Sequence, residues 1–152
     1  MKKTTDKYKG YDDVYYAASL IEYIGRKTTN KRSSVAESIG KDGIRNLVNL
    51  ADVNHCLSFE QVSDEVIKRY NIVRGNFDTV SSCKYQVPSP RSIGKVYANL
   101  VTRIADGTSE YPDALFQVLT SSISDALSDF NTSFYFAPSD EIEYYYRNKY
   151  AN

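Results

Sequence analysis

The chain has no tryptophan, a single histidine and only two cysteines in 152 residues. Each scarcity closes off some chemistry. Cys56 and Cys83 are too few for a disulfide framework. A structural zinc site wants four Cys or His ligands, commonly in close pairs. Here the adjacent His55-Cys56 and the distant Cys83 supply three, so no metal is expected. With one histidine, any imidazole base must be His55, with Cys83 or Cys56 as the thiol and Asp52 or Asn54 to orient the ring. No flanking signature accompanies that constellation. A cysteine-dependent enzyme therefore stands only as an alternative.

Other absences point the same way. The sequence contains neither G-x-x-x-x-G-K-[ST] nor G-x-G-x-x-G, so no phosphate cradle or dinucleotide cofactor is expected. Serine-hydrolase signatures are missing too. The acidic pairs Asp12-Asp13, Asp64-Glu65 and Asp140-Glu141 consist of neighbours that point to different faces of a helix, where they cap or meet solvent. No run approaches the ~18 apolar residues of a membrane span. No apolar stretch follows Met1-Lys2-Lys3-Thr4-Thr5 as it would in an export signal. A cytoplasmic location is the expectation, with no membrane partner and no cofactor.

What is present is an ordinary globular balance, 41% hydrophobic and 25% charged, which argues against disorder. The length suits one domain, expected over residues 11–152 behind a flexible segment at 1–10. Nineteen basic and nineteen acidic residues cancel overall, but unevenly. Residues 1–50 hold ten Lys/Arg against six Asp/Glu, and between Ile104 and Tyr146 eight acids stand without one Lys or Arg. Such a split either marks interaction patches or lets the two halves face each other.

Apolar residues recur at helical spacing through most of the chain. Val14, Ala17, Ala18, Ile21 and Ile24 form one stripe, with Asp13, Glu22 and Arg26 off that face. A short helix carrying Val35, Ala36 and Ile39, capped by Asn30 or Ser33, ends at Gly40. Ile44, Leu47, Val48 and Ala51 follow. Ser58-Phe59-Glu60-Gln61 has the form of a capping box ahead of Phe59, Val62, Val66 and Tyr70. Residues 72–91 lose the period; Thr79–Ser82 and Tyr85–Val87 are expected to be short extended pieces. Ile93 to Ile104 restore it, with a stop at Gly107. Pro112 opens a helix whose face runs from Leu115 to Phe130. Phe134-Tyr135-Phe136 is expected to be extended, and Ser139 to cap a last helix bearing Ile142, Tyr145 and Tyr146. The sum is an all-α fold, a compact orthogonal bundle of about six to seven helices with an irregular loop around 72–91.

Two segments suit binding. Arg26, Lys27, Lys31 and Arg32 stand among Thr28, Thr29, Asn30, Ser33 and Ser34 with no acid between, a loop able to hold nucleic-acid phosphates. Val35 to Gly40 is faintly like the first helix of a helix-turn-helix, but Asn46 and Asn49 fall where a recognition helix buries apolar residues. In the tail, Phe134, Tyr135, Phe136, Tyr144 and Tyr145 belong to a group of seven aromatics in seventeen residues. That density suits either a protein interface or closure of the core.

Leu20-Ile21-Glu22-Tyr23 with Arg26-Lys27-Thr28, Ala51 to Cys56, Ile93-Gly94-Lys95-Val96-Tyr97, and Ile123-Ser124-Asp125 with Asp129-Phe130-Asn131 follow one another along the chain. Together they resemble an uncharacterised family of small bacterial helical proteins, over most of residues 14–146. The resemblance implies a bacterial accessory protein from a mobile or defence-type gene neighbourhood and carries over no functional residue. The expectation is a non-catalytic interaction protein that binds another protein, as an antitoxin, immunity factor or regulatory subunit does. Nucleic-acid binding is the alternative, and a homo-oligomer is left open.

Overall fold

The computed structural model describes residues 4–105 and 110–151, with side chains from residue 10 onward. Eight α-helices account for most of it, and no strand occurs among the described residues. The all-α expectation holds.

α1 (Thr4–Thr28) is the central helix. It begins ahead of the domain boundary expected at residue 11, and Met1 to Lys3 lie outside the described residues. Val14, Ala17, Ala18, Leu20, Ile21 and Ile24 are fully buried, but so are Ser19 and Glu22. The predicted stripe is therefore right, while the placing of Glu22 off the buried face is corrected. One apolar stripe implies one neighbour; α1 has several, because α2, α4, α5 and α6 all pack on it.

α2 (Arg32–Asn49) bends at Gly40, whose φ of 80° favours glycine, so the expected stop is a kink between two helical pieces. Neither Asn30 nor Ser33 caps it; Lys31 occupies that position without a side-chain bond. A single turn, α3 (Ala51–Asn54), leads to α4 (Phe59–Arg69). The capping box forms as expected: Ser58 Oγ accepts from the Gln61 N–H and the Gln61 side chain answers the Ser58 N–H.

Residues 72–91 form no extended pair; they make a strap of turns. Gly75 N–H donates to Thr28 O at 2.9 Å and Phe77 N–H to Thr29 O at 2.8 Å. Asn30 Nδ2 donates to Val73 O, and Asn131 holds the far end through Lys84 N–H and Ser82 O. Polar side chains meet the strap's backbone groups, so it needs no sheet.

α5 (Pro90–Ile104) starts on a Ser89 cap with Pro90 in its first turn. It comes close to α1 at Gly94, where a Cβ would stand 2.9 Å from Ser19 Cα. The expected stop at Gly107 is outside the described residues. α6 (Tyr111–Thr120) and α7 (Ile123–Leu127) replace the single helix expected across 115–130. Ser121 Oγ donates to Val118 O and Ser124 Oγ to Ser121 O, and such local bonds compete with the helical ladder.

Phe134–Phe136 is a 3₁₀ turn, not an extended piece. Without a neighbouring strand, its N–H groups turn back: Phe136 donates to Ser133 O and Ala137 to Phe134 O. Pro138, not Ser139, precedes α8 (Ser139–Tyr145), which continues as a π-helical turn to Tyr150.

Candidate functional site

The basic loop leaves α1, and each of its four cations meets a carboxylate of the same chain. Arg32 is buried, donating from Nε to Glu22 Oε1 at 2.8 Å, from Nη2 to Glu22 Oε2 at 2.9 Å and from Nη1 to Asn30 O at 2.8 Å. Arg26 Nε reaches the same Glu22 Oε2 at 2.8 Å, and its guanidinium lies 4.9 Å from the Phe130 ring centroid. Lys27 bridges Glu60 at 3.0 Å and Asp64 at 2.6 Å. Lys31 sits 3.4 Å from Asp125. The strap closes over the loop's backbone.

Burial alone would raise the Glu22 pKa; hydrogen bonds and charge from Arg32, then Arg26, hold it below the ordinary carboxylate value. Gly25 makes the arrangement possible, because a Cβ there would collide with the Arg32 Cδ, Nε and Nη1 atoms. Glu22 was the residue that periodicity missed. Its signal was local: an acid four residues before Arg26, one position from the apolar stripe.

The aromatic tail divides between core and surface. Ile142 and Tyr146 are buried, Phe134 and Tyr135 half-buried, while Phe136 keeps 67% of its surface, Tyr144 62% and Tyr145 40%. Tyr135 and Phe136 meet edge-on, with centroids 4.9 Å apart, and Phe130 supports Tyr135 from below at 5.9 Å. Phe134 packs on Tyr145, which packs on Tyr144. The Tyr135–Phe136 pair forms a wall between two clefts. One, of about 500 Å³, runs along α5 over Val96, Leu100 and Ile142. The other, of about 340 Å³, is lined by Tyr85, Phe130 and Asn131. All five predicted tail residues thus stand on one region, three of them exposed.

Part of the charge split resolves inside the molecule. Arg45 pairs with Glu110 and Asp113, and Lys31 with Asp125, joining the basic half to the acidic one. Glu143 sits between Arg147 and Arg103, whose bonds depress its pKa.

His55 and Cys83 are not brought together. Asn54, beside His55, accepts a bond from Tyr16, whereas the Cys83 thiol lies 3.2 Å from the Tyr85 carbonyl and 3.8 Å from that of Phe130, the residue whose ring lies beneath Arg26. Ten residues of α1 separate Tyr16 from Arg26, roughly 15 Å of helix rise. His55 and Cys56 themselves are exposed. Among the described residues no three His, Cys, Asp or Glu side chains gather as metal ligands would, and no helix is long and apolar enough to cross a membrane.

Sequence reading also missed a second apolar surface. Leu50, Val53 and Leu57 are exposed around α3, Val53 to 66%. Their i, i+3, i+7 spacing carried the signal. No family model matches the chain, and neither does any curated protein or solved structure.

Proposed function

We propose that this chain is a non-catalytic bacterial interaction protein, working in the cytoplasm, that binds another protein through its aromatic tail. Phe134, Tyr135, Phe136, Tyr144 and Tyr145 form the binding surface, in the manner of an antitoxin, immunity factor or regulatory subunit. The observation that carries this reading is the exposure of Phe136, beside clefts floored by the buried Leu100, Ile142 and Phe130, together with that of Tyr144 on α8. Large aromatics on a firm base lose little conformational entropy on binding, and they dominate interface energetics. The pairing of Arg26, Lys27, Lys31 and Arg32 with internal acids favours this reading over the nucleic-acid alternative. Phosphate binding there would first have to break those pairs.

Deleting residues 134–152 is a poor test, since Ile142 and Tyr146 would leave the core with the tail. Point substitution is cleaner. A partner is recovered by co-purification from the native host and titrated against the wild type and a Phe136→Asp/Tyr144→Asp variant. The expected result is a 10- to 100-fold loss of affinity with helicity and melting temperature retained, the scale of two interface aromatics. Equal affinity for both proteins refutes the assignment. A filter-binding titration over salt addresses the alternative: phosphate contacts would give a steep loss of affinity with rising salt, and none is expected.

A further inference from the structure

The two clefts that share the Tyr135–Phe136 wall have an uneven distribution of charge. The larger has the buried Leu100 and Ile142 as its floor, with Ser92, Lys95, Val96 and Asn99 along α5. The smaller is lined by Tyr85, Phe130, Asn131 and Thr132 beside the wall. Lys95 is the one charged side chain in the two linings, and no carboxylate lines either cleft.

α5 supplies no acid of its own, since Pro90–Ile104 contains neither Asp nor Glu. Its other cations are occupied: Arg103 bonds Glu143 at 3.0 Å, and the Arg91 guanidinium lies 4.6 Å from the Phe59 ring centroid. Lys95 is exposed and forms no ion pair among the described residues, in contrast to Lys27 and Lys31. Asp140 and Glu141 follow Ser139 at the start of α8, yet of the three only Ser139 lines the larger cleft. The Lys95 ammonium stands at the cleft's rim with its charge unmet.

An apolar floor with a cation at its rim matches an apolar side chain next to a carboxylate. Nucleic acid would bring phosphate to Lys95 but set polar sugar on Leu100 and Ile142. A compact small molecule fills one cleft and leaves the other open. An extended polypeptide sends residues i and i+2 to the same side, roughly 6.5–7 Å apart, and so lays one apolar side chain in each cleft across the wall. Given a tail that binds protein, as proposed above, we infer that the clefts beside Phe136 receive an acidic, extended segment of the partner, with apolar side chains in the clefts and a carboxylate on Lys95.

The test is an amide NMR titration of the full chain with two acetylated, amidated peptides, Asp-Phe-Asp-Leu-Asp and Lys-Phe-Lys-Leu-Lys, and with a ten-nucleotide single strand of DNA. The acidic peptide is expected to shift amides within 92–100 and 130–142 and to bind about 3- to 10-fold more tightly than the basic one, the scale of an exposed charge pair made or opposed. Lys95→Gln should level the two peptides and Lys95→Glu should reverse their order. Equal affinities for wild type, binding of neither peptide, shifts confined to other surfaces, or tighter binding of the DNA at the same amides each overturn the assignment. The recovered partner separates this assignment from the wider reading of the tail. If Phe136→Asp/Tyr144→Asp releases it while Lys95→Glu binds it as wild type does, the tail reading stands and the acidic segment falls. If the double variant keeps the partner while the acidic peptide still shifts the cleft amides, the reverse holds.

Discussion

Glu22 shows how a single side chain can fall outside a correct pattern. The stripe from Val14 to Ile24 is legible because apolar residues repeat every three to four positions. Glu22 sits beside that stripe, and periodicity alone assigns it to solvent. It is buried because α1 is enclosed on several sides, and two arginines replace the water it loses. Removing one partner of such a centre leaves uncompensated buried charge, so Glu22→Gln is expected to cost about 3–5 kcal/mol in urea unfolding. The folded-state pKa of Glu22 is depressed, so its stabilisation is complete above the ordinary value of 4.5 and is lost as pH falls through the lower folded value. Unfolding midpoints measured below that pH should fall for the wild type and fall less for Glu22→Gln. Gly25→Ala should be destabilising through Arg32 alone, and a crystal structure of it should show the guanidinium displaced.

At the scale of elements, local chemistry was readable where a side chain acts on its own backbone. The Ser58/Gln61 capping box, the Gly40 break and Pro112 in the first turn of α6 are of this kind. Ser58→Ala should cost about 1 kcal/mol, seen as a lower denaturation midpoint at unchanged slope. Elements that depend on distant partners were harder to read. Phe134–Phe136 has the composition of a strand, yet no second strand exists among the described residues to pair with it. The Leu115–Phe130 face is continuous in sequence, but Ser121 and Ser124 divert the backbone. Gly94 gave no sign of its role, since its neighbour Ser19 is far away in the chain. Gly94→Ala sets a Cβ against α1 backbone and is expected to cost about 3 kcal/mol by the same urea measurement.

For the whole molecule, the bundle of helices was legible and the surface only in part. The basic loop looked free in sequence because its acids lie elsewhere: Glu60 and Asp64 on α4, Asp125 on α7. Lys27, Lys31 and Arg45 of the basic half pair with acids of the other half. Apolar and aromatic side chains are exposed both at the tail and around α3. The tail residues were named from their density in the sequence. How far each of them is covered, Phe134 and Tyr135 half-buried and Phe136 and Tyr144 exposed, depends on how α8 returns to α5.

The most direct measurement of the central claim is the affinity of the recovered partner for wild type, for Phe136→Asp/Tyr144→Asp and for Lys27→Ala. The account predicts a 10- to 100-fold loss for the aromatic variant and no change for Lys27→Ala, each with an unaltered far-ultraviolet spectrum. A loss that follows Lys27 while the aromatic variant binds normally would contradict it.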